Sequence, residues 1–354
     1  MTEPTSNNKQ YNSAKPNGTR LKQPKLIKTK LDAKTISQTA MMTALVIVLG
    51  FIAYYVPIIS IFAPLILPLP ICIIVIRKGL GAGFITIICS ALLLSLLLNP
   101  LTALTIIIQY CLIGLFFGYC FATRRSPLLI LAGGTLIAAV ATAAGMLLAA
   151  VIAGLPLNEI MSQFESYMLS SLETIKNNPN FANMLPAGTN WQEYSQNIIS
   201  FYKSIIPAIL VLTAMLMSFL GYLLTTTVLR RLGYKIKKLP KFEMWRMDWR
   251  LLWGFILALV CLIAGYYLPN DSLMDIASNL FYIYLPIMFI CGLSFSVWYL
   301  RRWQTAFFLK ALFILVLITL FIYTAVLLVI ISVFDPLLDF RKRIDKFNKK
   351  MMQN

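Results

Sequence analysis

Tyr54, Tyr55, Asn99, Thr102, Thr105 and Gln109 fall near the same ends of four consecutive apolar runs, where they present neutral hydrogen-bonding groups beside aromatic faces. Such a set suits a small neutral or weakly polar ligand in a mostly apolar pocket. Two structural readings compete with it: tyrosines form belts at membrane interfaces, and Asn99-Pro100 is a turn signal. A second constellation closes the chain, where Asp335, Asp339, Phe340, Arg341 and Lys342 follow the last apolar run. Asp335 and Asp339 stand one helical turn apart, Asp339 is one turn from Arg343, and Asp335 before Pro336 has the form of a helix cap. A cap that anchors an interfacial helix is the favoured expectation there, ahead of a partner site.

Other chemistry is poorly supplied. The chain contains no histidine, which removes imidazole-based zinc sites, nucleophile triads and proton shuttles. Its six cysteines all sit within apolar runs without C-x-x-C spacing and read as small buried hydrophobes. The 13 Asp and Glu lie in loops, tails or at the ends of runs, so no carboxylate is expected at mid-membrane to couple protons or sodium. No phosphate-cradling G-x-x-x-x-G-K-[ST] loop occurs; Arg77-Lys78-Gly79-Leu80-Gly81-Ala82-Gly83 is expected to form a tight turn followed by close helix packing. No nucleophile is paired with a base, so no enzyme, cofactor or metal is expected.

Hydropathy sets the elements that carry these residues. The chain is 59% hydrophobic and 12% charged with mean hydropathy +0.78, against about 25% charged residues in soluble domains. Nine apolar runs are long enough to cross a bilayer: Ile36 to Val56, Ile58 to Ile76, Leu80 to Leu98, Leu101 to Phe121, Leu128 to Gly154, Ile205 to Leu229, Leu251 to Leu268, Asn279 to Leu300 and Ala311 to Val333. The fold class that follows is an all-α polytopic transmembrane helix bundle of about nine spans. The net charge of +18 concentrates in alternate loops, which orients the N-terminus to the cytoplasm and leaves nucleic acid unnecessary as a partner. Nine spans then place the basic tail after Val333 on the wrong side. One of the last three segments is therefore in doubt, and Leu251 to Leu268 is the weakest.

Composition divides the chain into a basic arm (1–34) expected to be disordered, a six-span portion (35–229), a basic loop (230–250), C-terminal membrane helices (251–333) and a basic tail (334–354). Within the six-span portion, the outer segment 155–204 carries Met161, Phe164, Met168, Leu172 and Ile175 at helical spacing. A break at Asn177 to Asn190 and a second helix from Trp191 into the sixth span complete it, as a lid over an outer cavity or a helix lying on the outer leaflet. Pro64, Pro68 and Pro70 are expected to open the second span. Small residues mark close approaches: Ala40-x-x-x-Ala44, Gly114-x-x-x-Gly118 and the Gly/Ala-rich fifth span.

The first six spans, with Ala40-x-x-x-Ala44, the proline-broken second helix and the basic glycine turn, resemble the S components of energy-coupling factor (ECF) vitamin transporters. That resemblance implies a docking face at Ala40 and Ala44 for a transmembrane coupling subunit, an outer-leaflet ligand pocket, and energy drawn from coupling and ATPase subunits. Over Thr35 to Arg343 the chain is similar to YybS-type bacterial membrane proteins, whose recurrent ending reads here Phe334-Asp335-Pro336-Leu337-Leu338-Asp339-Phe340-Arg341-Lys342. Pro336 and Leu337 make this copy less aromatic. The resulting expectation is a multi-pass protein of the bacterial plasma membrane that binds a small molecule at its outer side and has no energy source of its own. The alternative is a non-transporting scaffold or assembly partner.

Overall fold

The computed structural model describes residues 32–177, 190–268, 271–302, 307–341 and 343, and the elements they form are helices. Eight stretches among them are long and apolar enough to cross a membrane. Their outward faces carry Leu92, Leu96, Leu136 and Ile322, at 62%, 81%, 66% and 76% exposure, a surface that suits lipid and not water. The expected disorder of the arm falls outside the described residues up to position 31. So does most of the expected break at Asn177 to Asn190.

Helix α1 (Ala33–Tyr55) starts on the carboxylate of Asp32, which accepts the Thr35 amide at 3.0 Å. Lys78 closes the same corner, 3.8 Å from Asp32 and 2.9 Å from the Thr35 hydroxyl. The second apolar run is broken as its prolines require, into α2 (Pro57–Ser60), α3 (Ala63–Ile66) and α4 (Pro68–Lys78), each opening on a proline at or next to its first position. Gly79, at φ 92°, turns the chain into α5 (Leu80–Leu97). Asn99 then caps α6 (Pro100–Ile106), which passes through a π-helical turn (Ile107–Cys111) into α7 (Leu112–Ala122). Ser126 caps α8 (Pro127–Ala153).

The glycine pair of the fourth run is used internally. A Cβ on Gly118 would stand 2.6 Å from the Val75 Cβ, and one on Gly114 would strike the Pro68 carbonyl. Residue numbers rise together along α4 and α7, so the two run parallel and end at the same pole as Lys78. Ala40 and Ala44 differ: both are exposed, while Thr39, Met42, Thr43 and Val46 of the same helix are buried.

Beyond α9 (Leu157–Lys176), whose Glu165 pairs with Lys203, the chain forms one continuous helix, α10 (Trp191–Arg231). Pro207 lies inside it. There the side chain of Asn279 inserts between two backbone groups of α10, donating to the Ser204 carbonyl at 2.6 Å and accepting from the Ala208 amide at 2.8 Å. The proline opens the helical ladder and the amide fills the opening, satisfying groups that lipid cannot. Asn279→Ala is expected to cost about 1–3 kcal/mol through these stranded groups, read as a lower unfolding temperature in neutral detergent.

Among the described residues the expected count of nine spans falls to eight because the second run, Ile58 to Ile76, is broken into α2, α3 and α4, none long enough to cross alone. The last third differs from expectation in another way. The doubted segment is a full helix, α11 (Trp249–Tyr267), and α12 (Asp271–Arg302) follows. The run Ala311 to Val333 is not one span: it breaks at Leu320 into α13 (Phe307–Thr319) and α14 (Phe321–Leu338). Thr324 steadies the break by donating to the Leu317 and Phe321 carbonyls, each at 3.0 Å. Helix α14 then runs parallel to α12. Phe321 meets Phe289 at 5.8 Å, Leu328 backs onto Gly292, and Phe340 meets Phe295 at 6.4 Å. The hairpin thus returns the chain to the pole where α12 ends in Arg301 and Arg302. Among the described residues of the basic tail, Arg341 therefore lies at the pole of the basic loop, where it bonds the Glu243 and Trp245 carbonyls.

Candidate functional site

The neutral set lies at the pole away from the basic loops, and its members have local uses. Tyr54 and Tyr55 are exposed, at 52% and 58%, and touch edge to face at 5.1 Å. Asn99 accepts the Leu101 amide at 2.9 Å as a helix cap, and Thr105 donates to the Leu101 carbonyl at 2.9 Å. Thr102 is half-buried. Gln109, in the π-helical turn, packs its amide against Gly145 of α8, where any side chain would collide with it.

At the opposite pole the helix ends enclose a cavity of about 590 Å³. Phe121, Arg124 and Arg125 come from the end of α7, Pro127 and Ile130 from the start of α8, Tyr222 and Arg230 from α10, and residues 234–238 form a wall. The local sequence explains this shape. Arg124, at φ 54°, ends α7 with its amide on the Phe121 carbonyl, and Gly233, at φ 85°, turns the chain back over α10. Tyr222 stacks on Phe121 at 5.6 Å and donates to the Lys237 carbonyl at 3.4 Å, tying the wall to the floor.

Charge is sorted across the cavity. Phe121, Ile130 and Tyr222 are buried in its floor, whereas Arg124, Arg125, Arg230, Lys235, Lys237 and Lys238 are exposed around its rim. The described lining contains no Asp or Glu. The N-terminus of α8, which adds a partial positive charge, opens onto the same space.

A clasp built from the C-terminal residues holds the chain just beyond this wall. Phe242–Met244 form a single 3-10 turn. Ser294 of α12 is placed to donate to the Phe242 and Trp245 carbonyls, at 2.6 and 2.7 Å. Arg341 donates to the Glu243 carbonyl at 2.5 Å, the Trp245 carbonyl at 3.0 Å and the Asp335 carboxylate at 3.0 Å. Its guanidinium also lies over the rings of Phe295 and Trp298, at 5.7 and 5.9 Å. Asp335 and Arg341 are 3% and 9% exposed, so this is a buried ion pair. Around it, Arg246 bonds Asp339 at 2.5 Å and the Pro336 carbonyl at 3.1 Å, and Arg301 bonds Glu243 at 2.8 Å.

The cap expected at Asp335 does not form. Helix α14 continues through Pro336 to Leu338, and Asp339 closes it in the left-handed conformation at φ 49°. The Asp335 carboxylate instead turns inward and accepts from the Arg341 guanidinium. Phe340 packs on Phe295, and Lys342 lies outside the described residues. Sequence spacing alone did not point to Glu243, Trp245, Arg246, Ser294 or Arg301. The one available signal was the cluster of cations at both 230–250 and 341–350, which must share a side if the positive-inside pattern holds.

The chain matches the family model described as "Predicted membrane protein (DUF2232)" over residues 44–336. It is 24% identical over 275 residues to "Uncharacterized protein YybS" of Bacillus subtilis (strain 168), covering 77% of this chain and 86% of that protein. No solved structure matches. Neither description states a reaction, a ligand or a kinship with ECF S components. The family match takes in the second half of α1, the later spans as far as Pro336 and the Asp335 end of the clasp, so this chain belongs to the DUF2232 family of multi-pass membrane proteins.

Proposed function

We propose that the protein is a membrane-embedded binder of an anionic molecule, which it takes from the cytoplasmic side into the cavity between α7, α8 and α10. The observation that carries this reading is the rim of six cations over an apolar floor. Opposite charge supplies attraction and the buried floor supplies desolvation, which strengthens it. The cytoplasmic assignment draws on the positive-inside pattern of the basic loops. The clasp holds the chain that continues from the wall, so the C-terminal helices organise a site they do not themselves line. A driving force for transport, if the ligand moves, comes from partner subunits.

Titrating the full chain in neutral detergent with inorganic pyrophosphate tests the reading. Binding is expected to weaken steeply as salt shortens the Debye length from about 10 Å at 0.1 M toward 3 Å at 1 M. The variant Lys235→Ala/Lys237→Ala/Lys238→Ala is expected to lose at least about tenfold in affinity, on the basis of ~1 kcal/mol for each cation near an anionic surface. Affinity unchanged in that variant, or indifferent to salt, contradicts the proposal.

A second reading, partner docking through α1, draws on the exposure of Ala40 and Ala44. Small residues on a lipid-facing surface admit another helix closely. The S-component likeness would make that helix part of a coupling subunit.

A further inference from the structure

Resting on the anion-site reading above, we infer that the ligand is a phosphate-bearing amphiphile drawn from the membrane, with its headgroup on the basic rim and its apolar portion running out along the bilayer past Leu128 and Leu129. Position favours this. The cavity sits where α7 and α10 leave the apolar layer and α8 enters it, so a molecule in it is at headgroup depth. On the membrane side of the rim, Leu128 and Leu129 are 75% and 46% exposed beside the lining residue Pro127, which gives an acyl chain an apolar path away from the cations. A volume of about 590 Å³ exceeds what a bare phosphate fills and is ordinary for an organic ligand.

Lipid phosphate and soluble phosphate share their chemistry, so the test separates them by the tail. Native mass spectrometry of the full chain in neutral detergent compares dioleoyl phosphatidic acid with dioleoyl phosphatidylcholine, sn-glycerol 3-phosphate and inorganic pyrophosphate. Phosphatidic acid is expected to be retained at least about tenfold more than phosphatidylcholine, by the same cation arithmetic. Glycerol 3-phosphate is expected to bind at least about tenfold more weakly than phosphatidic acid, since burial of only two methylenes already exceeds a factor of ten. The Lys235→Ala/Lys237→Ala/Lys238→Ala variant is expected to lose the preference, while Arg77→Ala, a cation of the same pole outside the cavity lining, keeps it. Glycerol 3-phosphate binding as tightly as phosphatidic acid overturns the amphiphile and leaves the anion site standing. Phosphatidic acid retained equally by the triple variant also overturns it, as ordinary lipid at the protein surface. If neither pyrophosphate nor phosphatidic acid binds, both readings fall.

Discussion

Arg341→Ala is expected to lower stability by about 3–5 kcal/mol, the cost of leaving a buried charge without its partner. The loss follows from what Arg341 touches: the Asp335 carboxylate, itself 3% exposed, and two carbonyls of the 243–245 segment. Thermal unfolding in neutral detergent measures it. Limited proteolysis supplies the local signature, because release of Glu243 and Trp245 exposes the segment after the cavity wall. Arg341→Lys is expected to rescue little, since one ammonium cannot reproduce a planar fork that serves three acceptors over two aromatic rings. The double variant Asp335→Leu/Arg341→Met separates two meanings of the pair. Apolar replacement of both charges often restores global stability, but it leaves the two carbonyls without their donor. Recovered unfolding temperature with persistent cleavage near Trp245 is the expected outcome.

Gly118→Leu is the second large effect, with an expected loss of about 3 kcal/mol or failure to accumulate in the membrane. Even a Cβ at this position comes within 2.6 Å of Val75 and 3.1 Å of the Cys72 carbonyl, so the backbones of α4 and α7 must part. Helix α4 also contributes Ile71, Cys72 and Val75 to two buried clusters, which spreads the damage through both. Ala44→Leu has the same small-to-large chemistry on the exposed face of α1 and is expected to stay within about 0.5 kcal/mol of the parent. Comparing membrane yield and unfolding temperature for the two variants checks the contrast.

That contrast shows where sequence was informative. Apolar length located the spans because a bilayer imposes one dimension on every helix. Prolines announced the fragments α2, α3 and α4, and Gly114-x-x-x-Gly118 announced a close approach, since both act through local backbone geometry. Sequence could not say that glycines meet α4 while Ala40 and Ala44 face outward, because both patterns have the same four-residue spacing. The break at Leu320 left no proline or glycine to read. It is revealed by what α14 packs against, and only that packing brings Arg341 to the pole of the basic loop.

The site was less legible still. The neutral set centred on Tyr54 and Gln109 has the residue types of a ligand site, yet Asn99 and Thr105 bond to their own helix. The cavity is assembled from helix ends and a turn spread between Phe121 and Lys238, and in the sequence its cations carry a topology signal alone. Asp335 and Arg341 are six residues apart, which matches no helical pairing, and their meeting depends on the turn at Asp339. Asn279 was an unremarkable polar residue at the start of a span until Pro207 stood beside it.

The account depends above all on the C-terminal residues folding back to the pole that carries the basic loop. Sidedness of labelling tests this directly, with Lys238→Cys, Arg343→Cys and Ser162→Cys each placed in a chain whose six native cysteines are replaced by serine or alanine. Lys238→Cys and Arg343→Cys should react with a membrane-impermeant maleimide in inverted vesicles and be protected in intact spheroplasts, with Ser162→Cys showing the reverse. Labelling of Arg343→Cys from the same side as Ser162→Cys would mean that α14 leaves the bundle at the other pole, and the clasp could not exist.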